Sequence, residues 1–375
     1  MTRARDTADL ITLAPDSQAL EPDNAMPLIH NGAMMVCQRA TSAASLSSGA
    51  NYVIDRFIFA VNEGTFTVSQ HSDGPTGSGF KKCLKIDCTT ADASLTSDGA
   101  VNIVQRQEGI NLKSMRKGYS DAKKVTWAFW VKTNKTGNYV AELRDHDNNR
   151  TVGQVFSVDS ANTWEKKVLV FPADTSTGDK FTHDEGLSLS CTIWLAAGTD
   201  YTSGTLNTTW ADTTTANRVV GLNVNIADNT DNEFLTTGWQ LEIGEYTATT
   251  IPPFRHIPFA LDILRCQRYF RIGVDGNSQF FGMGGMYSGS QANSFTQGPC
   301  RMRAAPTYDQ VGGTNYFSFR ADNGDRTFNT LNGTGSQNGP RIQNIFVTGI
   351  TSLQGYGGFF RSNNSAAVIH IKSDL

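Results

Sequence analysis

Apolar and polar residues alternate along several stretches of this chain. Phe80-Lys-Lys-Cys-Leu-Lys-Ile-Asp-Cys88 puts Phe80, Leu84, Ile86 and Cys88 on one face and mostly charges on the other. Val125-Thr-Trp-Ala-Phe-Trp-Val-Lys132 sends Val125, Trp127, Phe129 and Val131 inward. Val219 to Ile226 alternates in the same way, and Trp239, Leu241 and Ile243 repeat it. Trp164 to Phe171 is a further candidate strand. A period of two marks strands with one buried face. Gly, Asp and Asn turns between them predict an antiparallel β-sandwich, with a jelly roll as the specific form.

Pro252-Pro253 interrupts the pattern. Pro258 to Phe270 then reads as a short helix, with Phe259, Ile263, Cys266 and Phe270 along its apolar stripe. Beyond it, Phe280-Phe281, Tyr316 to Phe319, Ile342 to Ile350 and Val368 to Ile371 are strand candidates in glycine-rich sequence. The fold class expected is mainly β: a sandwich, a short helix and a C-terminal β-rich domain. The divisions drawn are 1–26 as an N-terminal arm, 27–254 as the sandwich, 255–270 as a linker helix and 271–375 as a head.

Composition agrees with this picture. The chain has 375 residues, enough for more than one core. Charged residues make up only 18%, and Gly is abundant. A net charge of −3 gives no basic footprint for nucleic acid. No apolar run approaches the ~18 residues of a membrane span. The six cysteines are scattered and form no Cys-x-x-Cys pair, so reduced thiols are expected. The N-terminal residues lack the apolar core of a secretory signal, which predicts synthesis and assembly in a cytoplasm.

Four motifs in order carry a resemblance. They are Asn31-Gly-Ala-Met-Met-Val-Cys-Gln-Arg-Ala-Thr41, Tyr52-Val-Ile-Asp-Arg-Phe57, Glu233-Phe-Leu-Thr-Thr-Gly-Trp-Gln-Leu-Glu-Ile-Gly244 and Leu264-Arg-Cys-Gln-Arg-Tyr-Phe270. Together they resemble a β-sandwich module common in phage tail fibres and other virion appendages. Arg301-Met-Arg-Ala-Ala-Pro-Thr307 resembles a segment that follows in the C-terminal domains of such fibres. The resemblance implies a carbohydrate-binding-like jelly roll, a virion location and a homotrimer. It also implies attachment to other virion proteins through residues 1–26, and contact with a host-surface glycan. A capsid decoration or head-fibre protein and a surface polysaccharide depolymerase are the alternatives. Gln38 and Arg39 read as framework, and Asp55-Arg56 as a pair at a strand edge.

Candidate chemistry is sparse. A glycosidase needs two opposed carboxylates. Glu142, Asp145 and Asp147, and the run Asp228 to Glu233, read instead as acidic turns. No Gly-x-Ser-x-Gly or phosphate loop is present. The expectation is therefore a non-enzyme without a cofactor. Alternating oxygen groups in Asp145-His-Asp147, together with the resemblance, raise a structural calcium at Asp145 and Asp147. Tyr201, Trp210 and Tyr356 are the loop aromatics expected to be exposed for glycan stacking.

Overall fold

The computed structural model describes residues 26–321, 324–332, 339–340, 342–351 and 354–375. The expected attachment arm thus lies, apart from Met26, outside the described residues. Two compact units emerge. The first contains the described residues up to Ala33, Ala44–Ala50 and Phe59–His256; the second contains Met34–Ala43, Asn51–Ile58 and Ile257–Leu375. Residues 34–43 and 51–58 therefore group with the C-terminal part, a difference from the linear division drawn at residue 254.

The first unit is built on two sheets. One runs in the order Ser42–Leu46, Thr65–His71, Cys83–Thr90, Glu233–Ile243, Val125–Thr133, Glu165–Phe171. The other runs Ala211–Asp212, Arg150–Val158, Gly137–Asp145, Leu187–Ala197, Ala100–Glu108, Phe57–Val61, Gly49–Tyr52. The chain passes back and forth between them, which is the jelly-roll course. Val125, Trp127, Phe129 and Val131 are all buried, as their alternation requires. Trp127 packs edge-on against Trp239 at 4.9 Å, and Phe129 meets Phe156 of the other sheet at 5.2 Å. Tyr139 stacks on Phe156 and reaches Phe234, so aromatic rings close the space between the sheets.

Two glycines make the Trp239 strand possible. A Cβ on Gly32 would lie 2.2 Å from the Trp239 carbonyl oxygen, and the Trp239 N–H donates to Gly32 O at 3.0 Å. Gly238 adopts φ +66 at a bulge in this strand, a left-handed conformation that suits glycine.

Val219 to Ile226 does not form the expected strand. Its N–H groups go to scattered partners: Val219 to Tyr201 O, Leu222 to Val219 O, Asn223 to Asn138 O. Alternating burial without a neighbouring ladder is not enough to make a strand.

In the second unit the helix spans Phe259–Gln267, shorter than expected, and Phe270 already opens the strand Phe270–Asp275. Its buried positions are Asp262 and Cys266, while Phe259 and Leu261 are exposed. A three-stranded sheet orders Phe270–Asp275, Val368–Lys372, Thr307–Val311. A six-stranded sheet orders Gly324–Phe328, Phe317–Ala321, Gly357–Ser362, Phe280–Ser288, Gln291–Gln297, Ile342–Thr348. Phe281, Phe317, Phe319, Phe360, Ile345 and Ile369 form its core. Among the described residues no helix is long and apolar enough to cross a membrane.

Candidate functional site

The opening motif meets the motif near residue 270 inside the second unit. Asp55 is buried and accepts from the Gln38 backbone N–H at 3.2 Å and from the Gln38 side-chain amide. Burial raises the Asp55 pKa, and the two Gln38 hydrogen bonds oppose it. The Gln38 amide also donates to Phe270 O at 3.1 Å. Arg39 stacks over Phe270 at 3.7 Å and pairs with Asp374 at 2.6 Å. Arg56 lies over Tyr269 at 3.4 Å. Gln38, Arg39, Asp55 and Arg56 are structural, but they organise the C-terminal unit rather than the sandwich. The expected pair reading of Asp55-Arg56 misses these partners: Gln38 lies 17 positions before Asp55, and Tyr269 more than 200 positions beyond Arg56.

The three aromatic candidates fall in different settings. Tyr201, in the short helix Thr199–Thr202, is half-buried with its ring 5.1 Å from Trp194. Arg218 lies over both rings and grips Glu142 with two hydrogen bonds of 2.7 Å. The Trp194 indole N–H donates to the same carboxylate at 3.0 Å. Tyr201 thus helps cover a buried ion pair. Glu142 sits within the strand Gly137–Asp145, not in a turn.

Trp210 is not an exposed platform; it is only 8% exposed. Its indole N–H donates to Pro172 O at 2.9 Å, and its ring faces the Lys117 ammonium at 5.2 Å. A tryptophan whose polar edge finds a backbone carbonyl can be buried at little cost. Tyr356, at 43% exposure, is open, and it belongs to the second unit. The three residues therefore do not make one site within either unit.

The acidic turn is also filled differently from expectation. Asp145 is fully buried, with Lys117 Nζ 2.5 Å from its Oδ2. Its Oδ1 accepts from the N–H groups of Asp147 and Asn148. Asp147 turns toward Thr182, whose N–H donates to it at 3.0 Å. The ammonium takes the position a calcium ion would need at Asp145, and the two carboxylates serve different partners. No cluster of three metal-ligating side chains occurs among the described residues. Nearby, burial and the charges of Arg144, Arg106 and Arg218 push the His146 pKa down to about 4. Its Nε2 lies 3.0 Å from Ser190 Oγ.

A cleft in the second unit was not anticipated. Its volume is about 380 Å³. Buried Phe281, Ile345, Ile369 and Ile371 make an apolar floor. Phe280, Met283 and Phe295 line it while standing 67%, 77% and 66% exposed. Met283 pairs across the sheet with Phe295 on one side and Phe359 on the other. Arg271, Thr296, Gln297 and Tyr308 supply the polar lining. The sequence signal was the pair Phe280-Phe281, which reads as a strand but does not reveal which ring stays in solvent.

No family model and no curated protein sequence matches the chain. Solved structures give loose overlaps. The enzymatically active domain of bacteriophage CBA120 tailspike protein 4 is 11% identical, with a TM-score of 0.31 over 58% of this chain. The chain spans only 21% of that protein's length. A family 11 carbohydrate-binding module of a Clostridium thermocellum cellulase is 11% identical, TM-score 0.26, over 54% of this chain and 99% of the module. The CBM22-2 xylan-binding domain of Paenibacillus barcinonensis Xyn10C is 14% identical, TM-score 0.27, over 53% and 97%. Overlaps this loose assign nothing; the sandwich rests on its own sheet order and core.

Proposed function

We propose that this chain is a subunit of a bacteriophage virion appendage, a short tail fibre, that binds a host-surface glycan as a homotrimer. The observation that carries the reading is the cleft of the second unit, with its exposed rings beside amide, hydroxyl and guanidinium groups. Flat apolar rings stack on the C–H faces of sugars, and the polar groups bond hydroxyls. Linking three weak sites raises their effective concentration.

The chain acts by binding rather than by catalysis. Glu142 is committed to Arg218 and Trp194, and Asp145 to Lys117. Neither carboxylate is poised opposite a free partner across a cleft. The binding test uses purified full-length protein and the surface polysaccharide of a susceptible host. Phe280→Ala together with Phe295→Ala should weaken binding roughly tenfold or more. Undiminished binding by that double variant would remove the cleft from the reading. Release of new reducing ends by the wild-type protein would replace it with the depolymerase alternative. Imaging the virion decides tail against capsid.

A further inference from the structure

We infer that Lys117 and Asp145 condense into an intramolecular isopeptide bond, with Asp174 as the base. Three observations place a nucleophile, an activated carbonyl and a proton acceptor together. Lys117 Nζ lies 2.5 Å from Asp145 Oδ2 and 3.0 Å from Asp174 Oδ2. All three side chains are at most 2% exposed. Asp145 Oδ1 accepts two backbone N–H groups, from Asp147 at 2.9 Å and Asn148 at 3.1 Å. Such a pair of donors stabilises an oxyanion on that oxygen during attack at the carboxyl carbon. The Asn148 side-chain amide donates to the other oxygen, Oδ2, at 2.8 Å.

The surroundings suit the reaction. The rings of Trp210 and Phe181 lie 5.2 and 5.4 Å from Nζ. Gly118 N–H donates to Asp174 O at 2.8 Å, which fixes the loop carrying Lys117 against its neighbour. Burial alone would raise the Asp174 pKa, but hydrogen bonds and charge from Lys117 bring it below the ordinary carboxylate value. Arg150 also donates to Asp174 at 3.0 Å. An ionised Asp174 can therefore accept a proton.

The step balances without any added reagent. The ammonium proton facing Asp145 passes to Oδ2, leaving a lone pair aimed at the carboxyl group. Nζ attacks the carboxyl carbon, and a negative charge develops on Oδ1. Asp174 takes a second proton from Nζ and returns it to Oδ2, which leaves as water. One C–O bond breaks, one C–N bond forms, and the amide keeps one N–H. Fixed proximity lowers the entropic barrier to such a condensation. Exclusion of solvent disfavours the reverse hydrolysis.

The deciding measurement is the intact mass of the denatured full-length wild-type protein. The expected mass is one water below that of the sequence. A proteolytic digest should yield a branched peptide joining Lys117 to Asp145. Lys117→Arg should return the full sequence mass. Asp174→Asn, which keeps the shape of the site, should slow bond formation roughly a hundredfold. A wild-type chain at full sequence mass means an ion pair only and overturns the proposal. So does a lighter chain whose Lys117 and Asp145 peptides remain separate. An unchanged rate in Asp174→Asn overturns the role of Asp174 as base.

Discussion

The two units manage their polar and apolar groups in opposite ways. The first hides charge: Glu142 pairs with Arg218 beneath Trp194 and Tyr201, and Asp174 with Arg150. The second shows apolar surface: Phe280, Met283, Tyr287 and Phe295 are each about two-thirds exposed or more. Buried charge that is fully partnered resists rearrangement, because removing one partner strands the other. Exposed apolar surface gains stability only when something covers it. The first unit thus partners its charges within the chain, whereas the second leaves apolar side chains in solvent.

Substitutions can break or sharpen this contrast. The largest effect is expected from Trp127→Ala in the sandwich core, which should cost about 3–5 kcal/mol in denaturant unfolding. Unchanged stability would mean that the aromatic packing between the sheets is not what holds the first unit. Glu142→Gln comes next. It strands the Arg218 guanidinium beneath Tyr201 and should cost about 3 kcal/mol, read in the same experiment.

A pH titration tests the first unit without mutation. The His146 pKa is about 4 in the folded state against 6.5 for the ordinary group. The unfolded chain then binds more protons between these values, so its contribution is present above pH 6.5 and is lost as pH falls toward 4. The loss should approach roughly 2–3 kcal/mol and should vanish in His146→Gln. An identical acid transition in that variant would assign the loss to other groups. The smallest effect on stability is expected from Phe295→Ser, under about 0.5 kcal/mol for the isolated chain. Its effect should appear in glycan binding instead, as an affinity weakened roughly several-fold. A Phe295→Ser protein that binds the host polysaccharide as tightly as wild type would break the contrast at its second half.

Much of the architecture was legible from local pattern. Strand Val125–Thr133 follows from alternation alone, because a period of two has only one way to bury Trp127 and Phe129 together. The same signal failed at Val219 to Ile226, where a loop buries alternate residues without pairing to a ladder. It also misjudged Trp210: a loop tryptophan reads as exposed until its Pro172 partner and the Lys117 contact are known. The surroundings of Asp145 were hidden for a related reason. Carboxylate spacing within a turn cannot reveal that a lysine 28 positions earlier supplies the cation.

The sequence alone determined the mainly β class, the sandwich and the short helix that follows Pro258. These depend on neighbours within a few residues, where periodicity and proline geometry act directly. Tertiary structure decided which distant groups meet: Gln38 with Phe270, Arg39 with Asp374, Lys117 with Asp145 and Asp174. It also decided that Phe280 stays in solvent while Phe281 enters the core. Burial and ion pairing are set by what the folded chain brings alongside a residue, and no local pattern in this sequence encodes those partners.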